Sequence, residues 1–188
     1  MALIFLNVTG LSNSGASHWQ TIWEKENPEM IKRVEQDNWN APLKQDWIIR
    51  LNEVIEQQDD DIVLIAHSLG CITVAHWATV FSSNKVKAGF LVAPPDANRT
   101  EEFAIINTFS PVPTEKLPFP SLVVASTNDE YATIERSLEM ANDWGSDFIN
   151  IGQLGHINAN SNLGSWKDGA QLLKQLLDKA GLRSDALF

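Results

Sequence analysis

The sequence contains a single cysteine, Cys71, among 188 residues. One thiol cannot form an internal disulfide and cannot supply the paired cysteines of a zinc site, so both are excluded. Its apolar surroundings favour a small buried side chain. Basic residues are also few, because 14 Lys and Arg against 24 Asp and Glu give a net charge of −10 without any basic cluster. Nucleic acids and anionic membranes bind clustered positive charge, so neither is expected as a partner.

Long apolar segments are missing as well. None approaches the roughly 18 residues of a membrane-spanning helix. The apolar start, residues 1–6, is too short for a signal peptide and lacks a basic flank. We therefore expect a cytoplasmic protein. Residues 1–188 are expected to form one domain, which at this length buries roughly 70% of the surface that the unfolded chain exposes.

Short apolar segments alternate with amphipathic ones along the chain. The predicted strands cover residues 2–8, 31–35, 62–66, 86–92, 121–125 and 148–151. The predicted helices cover residues 19–26, 43–57, 69–81, 133–144 and 167–180. This alternation is typical of βαβ units, so we predict an α/β fold in which a mainly parallel sheet carries helices on both faces.

A serine stands directly between a predicted buried strand and a predicted helix, in Ala66-His67-Ser68-Leu69-Gly70. So sharp a corner requires small residues two positions before and two after the serine. The motif is therefore G-x-S-x-G with alanine for the first glycine, the elbow that exposes a nucleophilic hydroxyl. It also presents the Leu69 N–H to an oxyanion. The alternative is that Ser68 only caps the helix, but the strand–motif–helix context favours the nucleophile.

A serine nucleophile needs a base and an orienting acid, which in such a fold follow it in the order acid, then histidine. Of the four histidines, only His156 follows a late predicted strand, on a glycine-flanked loop, and we predict it as the base. Asp129 closely follows the strand 121–125, at the sheet edge where Ser68 also lies. We predict Asp129 as the acid, with Asp96 as the second choice.

A second oxyanion donor is expected from the loop after the first strand. Gly10 lets the backbone come close there, and we predict the Leu11 N–H, with Ser12 as the alternative. The proline-rich connection 94–120 is the predicted partial cover of the site. Four of its apolar side chains could line an acyl pocket or could equally pack in the core: Phe103, Ile105, Ile106 and Phe109.

Four blocks occur in order along the chain: "TGLSNSGASHWQ", "AHSLG", "STNDEY" and "GHIN". Together they resemble the small serine hydrolase family that includes retinoblastoma-binding protein 9, over nearly the whole chain. The resemblance implies a minimal α/β-hydrolase fold without a large lid domain. It further implies a triad of Ser68, Asp129 and His156, and it implies neither a metal nor another cofactor.

The same resemblance implies that His18 and Trp19 flank the site, although Trp19 could equally be a core residue. Trp166, near His156 in the sequence, is a further candidate for substrate binding.

We therefore expect a carboxylesterase-like serine hydrolase that acts on a small acyl substrate, an ester, through an acyl-enzyme intermediate. Thioester or aminopeptidase-like amide hydrolysis on the same triad is the alternative, because leaving-group preference depends on the shape of the pocket. A non-catalytic binding or scaffold protein is a third possibility. The intact set of serine, acid and histidine argues against it, since a scaffold does not need them.

Overall fold

The computed structural model describes residues 3–182. Its strands are β1 Leu3–Val8, β2 Ile31–Arg33, β3 Asp61–His67, β4 Val86–Val92, β5 Ser121–Ala125 and β6 Asp147–Asn150. Its α-helices are α1 Trp19–Glu26, α2 Lys44–Glu56, α3 Leu69–Val80, α4 Ile134–Trp144 and α5 Lys167–Lys179. The strands form one sheet in the order β2-β1-β3-β4-β5-β6. Each neighbouring pair is parallel, which confirms the predicted α/β fold.

The predicted elements occur in the predicted order, and no bound shifts by more than two residues. Ala2, the predicted first residue of β1, lies outside the described residues. Leu43, the predicted first residue of α2, lies just before the helix and is 52% exposed. It caps the helix in an extended conformation, so it precedes the helical periodicity that buries Trp47, Leu51 and Ile55.

Helices cover both faces of the sheet because alternate side chains of each strand point to opposite sides. On β3, Ile62, Leu64 and Ala66 pack with α2, α3 and α4. Val63 and Ile65 pack on the other face with α1 and α5. A strand buried on both faces reads as a continuous apolar run, which is why the segment after Asp61 shows no polar alternation.

The connection from β4 to β5 contains the 3₁₀ segment Ala104–Phe109 and no other helix or strand. Within residues 3–182 the sheet therefore carries no large lid domain. No helix of this described part combines the length and the apolar character needed to cross a membrane.

The start of α3 lies extremely close to the end of β1. A Cβ added to Gly70 would stand 2.0 Å from the carbonyl oxygen of Val8. A Cβ added to Gly10 would stand 2.8 Å from the Cβ of Ser68. Both glycines are therefore required by backbone contact, and they fix the corner after β3 against the loop after β1.

We expect Gly70→Ala to lower the free energy of unfolding by about 3 kcal/mol, because the clash is with backbone that cannot rotate away. Urea unfolding followed by circular dichroism measures the change. Gly15→Ala is the matched control, since an added Cβ there has no atom within 4 Å and should change stability by less than about 0.5 kcal/mol. Equal stabilities of the two variants would contradict this account of the corner.

Candidate active site

Ser68 occupies the sharp corner between β3 and α3. Its backbone has φ 55° and ψ −129°, a strained conformation for a residue with a side chain. The Ser68 N–H donates to the carbonyl of Val92 at 2.9 Å, which ties the corner to β4. The Ser68 side chain makes no capping hydrogen bond to α3. The structure therefore contradicts the alternative in which this serine serves only as a helix cap.

The hydroxyl of Ser68 instead meets a histidine. Ser68 Oγ lies 2.8 Å from His156 Nε2. On the other side of the ring, His156 Nδ1 lies 3.0 and 2.8 Å from the two carboxylate oxygens of Asp129. An ionised carboxylate can only accept, so Nδ1 donates and Nε2 is left to accept the serine proton. The side chains of His156 and Asp129 are 8% and 4% exposed, so water barely competes for these bonds.

Asp96, the second choice for the acid, lies elsewhere. Its carboxylate accepts from Arg136 Nε at 3.2 Å, on α4. Asp96 and Asp129 both follow strands at the same edge of the sheet, so the sequence alone left both open. The structure brings together Ser68, His156 and Asp129, and it does not bring Asp96 to the histidine.

Neighbouring polar groups hold the two loops that carry the acid and the histidine. Asn128 Oδ1 accepts from the Gly155 N–H at 2.8 Å, and Asp129 Oδ1 accepts from the Tyr131 N–H at 2.9 Å. His67 Nε2 donates to the carbonyl of His156 at 2.9 Å. No role was predicted for Asn128, Tyr131 and His67. Their positions beside Asp129 and Ser68 in the motifs "STNDEY" and "AHSLG" were the available signal.

Two backbone N–H groups lie beside the corner. A Cβ on Gly10 would be 3.2 Å from the Leu69 nitrogen, so the loop after β1 touches the start of α3. Within the described residues, neither the Leu11 nor the Leu69 N–H has an acceptor, and both residues line the cavity above Ser68. The Ser12 N–H, the alternative donor, is occupied by the carbonyl of Trp39 at 2.9 Å.

The cavity above Ser68 has a volume of about 290 Å³. Phe103, Ile105 and Ile106 line it, as expected if this connection forms an acyl pocket. Phe109 does not. It is fully buried, and its ring packs edge-on against Trp47 at 5.8 Å, because the kinked 3₁₀ segment turns it into the core. No lysine, arginine, aspartate or glutamate of the described chain lines the cavity.

Trp19 and Trp166 were predicted to contact the substrate, but neither reaches the cavity. They are 1% and 4% exposed, lie outside the cavity lining, and their rings pack 5.0 Å apart beneath it. Trp19 Nε1 donates to the carbonyl of Ile157 at 2.9 Å. Both tryptophans are core residues, and the hydrogen bond of Trp19 holds the loop that follows His156. His18, expected beside them, does line the cavity.

Three histidine rings are clustered at the floor of the cavity. The His67 ring lies 4.6 Å from that of His18 and 4.9 Å from that of His156. Burial lowers the pKa of His18 to about 4, with smaller contributions from Arg33 and His156. Burial likewise lowers the pKa of His67 well below its usual value. Both rings are therefore neutral at pH 7, and neither places a positive charge beside His156.

A metal would need a cluster of ligating side chains. Among residues 3–182, no group of three or more His, Cys, Asp and Glu side chains is arranged to hold one.

The serine hydrolase family model matches residues 5–175 of the chain. No curated protein matches it by sequence. Among solved structures, the chain is similar to a YdeN-like hydrolase from Pectobacterium atrosepticum, with 27% identity and a TM-score of 0.84 over 95% of this chain and 92% of that one. The ydeN gene product of B. subtilis is 14% identical, with a TM-score of 0.74 over 95% and 100% of the two chains.

A third similar structure is Est1E from Butyrivibrio proteoclasticus, solved with ferulic acid bound. It is 13% identical, with a TM-score of 0.69 over 94% of this chain and 90% of that one. At this level of identity, the similarity shows a shared fold.

Because His18 is buried, we expect the free energy of unfolding to depend on pH. The pKa of His18 is about 4 in the folded chain, below the value of 6.5 for an exposed histidine, so the unfolded chain takes up the proton first. The free energy of unfolding therefore has its full value above pH 6.5 and falls as the pH approaches 4. His18 alone should lower it by about 3 kcal/mol over this range. Urea unfolding between pH 7 and pH 4 measures it.

The variant for comparison is His18→Asn, because asparagine retains an acceptor for the Gln20 N–H at the start of α1 without titrating. Its stability should fall less steeply over the same range. His67 contributes to the slope in both proteins, so the difference between the two curves is the informative quantity. Parallel curves would contradict the depressed pKa of His18.

Proposed function

The chain belongs to the serine hydrolase family, as its motif blocks predicted, and from that premise we propose that it hydrolyses small, neutral carboxylic esters. The observation that carries this proposal is the series of hydrogen bonds from Ser68 through His156 to Asp129, beside an apolar cavity. A serine hydroxyl is a weak nucleophile unless a base accepts its proton, and this series supplies the base and its orienting acid.

The proposed reaction begins when Ser68 Oγ attacks the ester carbonyl carbon and its proton passes to His156 Nε2. The carbonyl oxygen becomes an oxyanion, which accepts hydrogen bonds from the N–H groups of Leu11 and Leu69. Asp129 stabilises the imidazolium formed on His156. When the intermediate collapses, the C–O bond to the alcohol breaks and His156 returns its proton to the departing oxygen. The acyl group remains on Ser68.

The second half of the reaction repeats these roles with water. His156 removes a proton from water as the water oxygen attacks the acyl carbon of the ester on Ser68. The second tetrahedral intermediate releases Ser68 Oγ, which regains its proton from His156, and the carboxylic acid leaves. Each proton taken by His156 is thus returned within the same half-reaction.

The lining of the cavity supports a neutral, apolar acyl group. Phe103, Ile105 and Ile106 offer apolar surface, and no ionised side chain among the described residues faces it. His18 and His67 are neutral at pH 7 because burial lowers the pKa of each. An ionised acyl chain would lose water without gaining a partner, which is costly. The volume of about 290 Å³ fits a small group better than a long chain.

A fluorophosphonate probe should become attached to Ser68, as identified by peptide mapping. Ser68→Ala is the control and should remain unlabelled. Cys71 is the other nucleophile near the corner, but burial raises the pKa of its thiol, which keeps it protonated and unreactive. Label on Cys71, or the absence of any label, would contradict the proposed function.

A panel of p-nitrophenyl esters then tests the substrate class. We expect activity on short, uncharged acyl groups and at least a tenfold lower kcat/KM for a hemisuccinate than for an uncharged acyl group of equal length. The thioester and the anilide of the preferred acyl group complete the panel. Faster turnover of the thioester or the anilide than of the matched alkyl ester would replace the ester proposal by one of these alternatives.

Asp129→Asn should lower kcat by about 10⁴-fold, because an amide at this position leaves the histidine in the wrong tautomer. The kcat for a p-nitrophenyl ester measures this, and circular dichroism checks that the fold is retained. Asp96→Asn is the matched control, and its kcat should stay within about threefold of wild type. If Asp96→Asn is the damaging change instead, the acid has been assigned to the wrong residue.

A further inference from the structure

Arg33, the last residue of β2, has all five of its guanidinium donors occupied. Nε and Nη2 bind the carboxylate of Glu24, with an Nε to Oε1 distance of 3.0 Å, and Nη2 also donates to Thr21 Oγ1 at 2.7 Å. Nη1 donates to Asn13 Oδ1 at 2.8 Å and to the Ser14 carbonyl at 3.0 Å. The Arg33 side chain is 12% exposed, so these bonds are largely shielded from solvent. One side chain thus joins β2, α1 and the loop after β1.

Asn13 is the point where this arginine holds the loop. Its side-chain oxygen also accepts from Thr9 Oγ1 at 3.0 Å and from the Ser14 N–H at 2.7 Å. The Asn13 N–H donates to the Gly10 carbonyl at 3.1 Å, which closes a turn over residues 10–13. Leu11, the proposed oxyanion donor, lies inside that turn.

The turn has a conformation that requires outside support. Ser12 and Asn13 have φ values of 62° and 63°, in the left-handed region that side chains disfavour. Two such residues in succession persist only when surrounding contacts determine the backbone. Those contacts are the Ser12 N–H to Trp39 bond on one side and the Arg33 bonds on the other.

We propose that Arg33 is a positioning residue of the oxyanion site: by holding Asn13 and Ser14 against α1, it fixes the Leu11 N–H where the oxyanion forms. This inference rests on the proposed function, because it presupposes that an oxyanion forms above Ser68. Arg33 does not line the cavity and does not touch the substrate. Its effect is therefore on the geometry of the transition state rather than on the binding of the ester.

The test is steady-state kinetics of Arg33→Gln and Arg33→Lys on the preferred ester. We expect Arg33→Gln to lower kcat by about 10- to 100-fold with KM within about twofold, since a misplaced donor weakens only the transition state. Arg33→Lys keeps a charge for Glu24 but has fewer donors, so its loss should be smaller. Arg50→Gln is the matched control, because Arg50 forms ion pairs with Asp37 and Glu53 on the surface of α2. Its kcat should equal that of wild type.

A second measurement separates positioning from a general structural role. Ser68 adds to an alkyl trifluoromethyl ketone, its proton passes to His156, and the ketone oxygen becomes an oxyanion. In Arg33→Gln, the inhibition constant for this ketone should rise by the same factor by which kcat/KM falls. The ratio of ester to thionoester hydrolysis should also fall, because sulfur gains less from the N–H donors. A folded Arg33→Gln with wild-type kcat, or with lower kcat but an unchanged inhibition constant and ratio, overturns the proposal.

Removing Arg33 leaves the carboxylate of Glu24 shielded and unpaired, which can prevent folding. Asn13→Gly then decides the question, because glycine accepts the φ of 63° and the ion pair of Arg33 with Glu24 is retained. The inhibition constant for the trifluoromethyl ketone should rise in Asn13→Gly as it does in Arg33→Gln. A wild-type inhibition constant in Asn13→Gly would refute the role of the turn. Failure of the proposed function has a different signature, namely a wild-type protein that the fluorophosphonate does not label at Ser68.

Discussion

The contact between the first turn of α3 and the end of β1 is the constraint on which the rest of the site depends. Gly70 lies against the Val8 carbonyl so closely that no side chain fits between them. This contact allows β3 to enter α3 without a loop and holds Ser68 at a strained φ of 55°. The same closeness brings Gly10 and its neighbours to the start of α3. The Ser68 hydroxyl is thereby brought close to the N–H groups of Leu11 and Leu69, which have no acceptor within residues 3–182.

The electrostatics of the site follow from burial rather than from added charge. The chain carries a net charge of −10, yet no ionised side chain among the described residues lines the cavity. His18 and His67 are neutral there because burial lowers the pKa of each. The ion pair of Arg33 with Glu24 lies outside the lining of the cavity, and the charge of Arg33 adds only a smaller contribution to the lowered pKa of His18. In a weakly polar cavity, a few oriented dipoles stabilise charge more effectively than they would in water.

Much of this arrangement could be predicted from the sequence, for identifiable reasons. Buried parallel strands are continuous apolar runs, which made β3 and β4 recognisable. Parallel strands also end at one edge of the sheet, so the residues after β3 and β5 were expected at that same edge. Side-chain direction could not be predicted in the same way. Phe109 turns into the core at a kink, and Trp166 is covered by its packing on Trp19. The role of Arg33 left no signal, because its acceptors come from separate segments that meet only in the folded chain.

Two indole groups of α1 connect distant parts of the chain. Trp19 donates to the Ile157 carbonyl, 138 residues away, and Trp23 donates to the Ser165 carbonyl, 142 residues away. The loop that carries His156 is therefore anchored to a helix that is synthesised well before it. Ser68 likewise precedes His156, by 88 residues. Until residue 156 has been added, the growing chain holds the Ser68 hydroxyl without its histidine partner, so the hydrogen-bonded series can form only after the two distant segments have folded together.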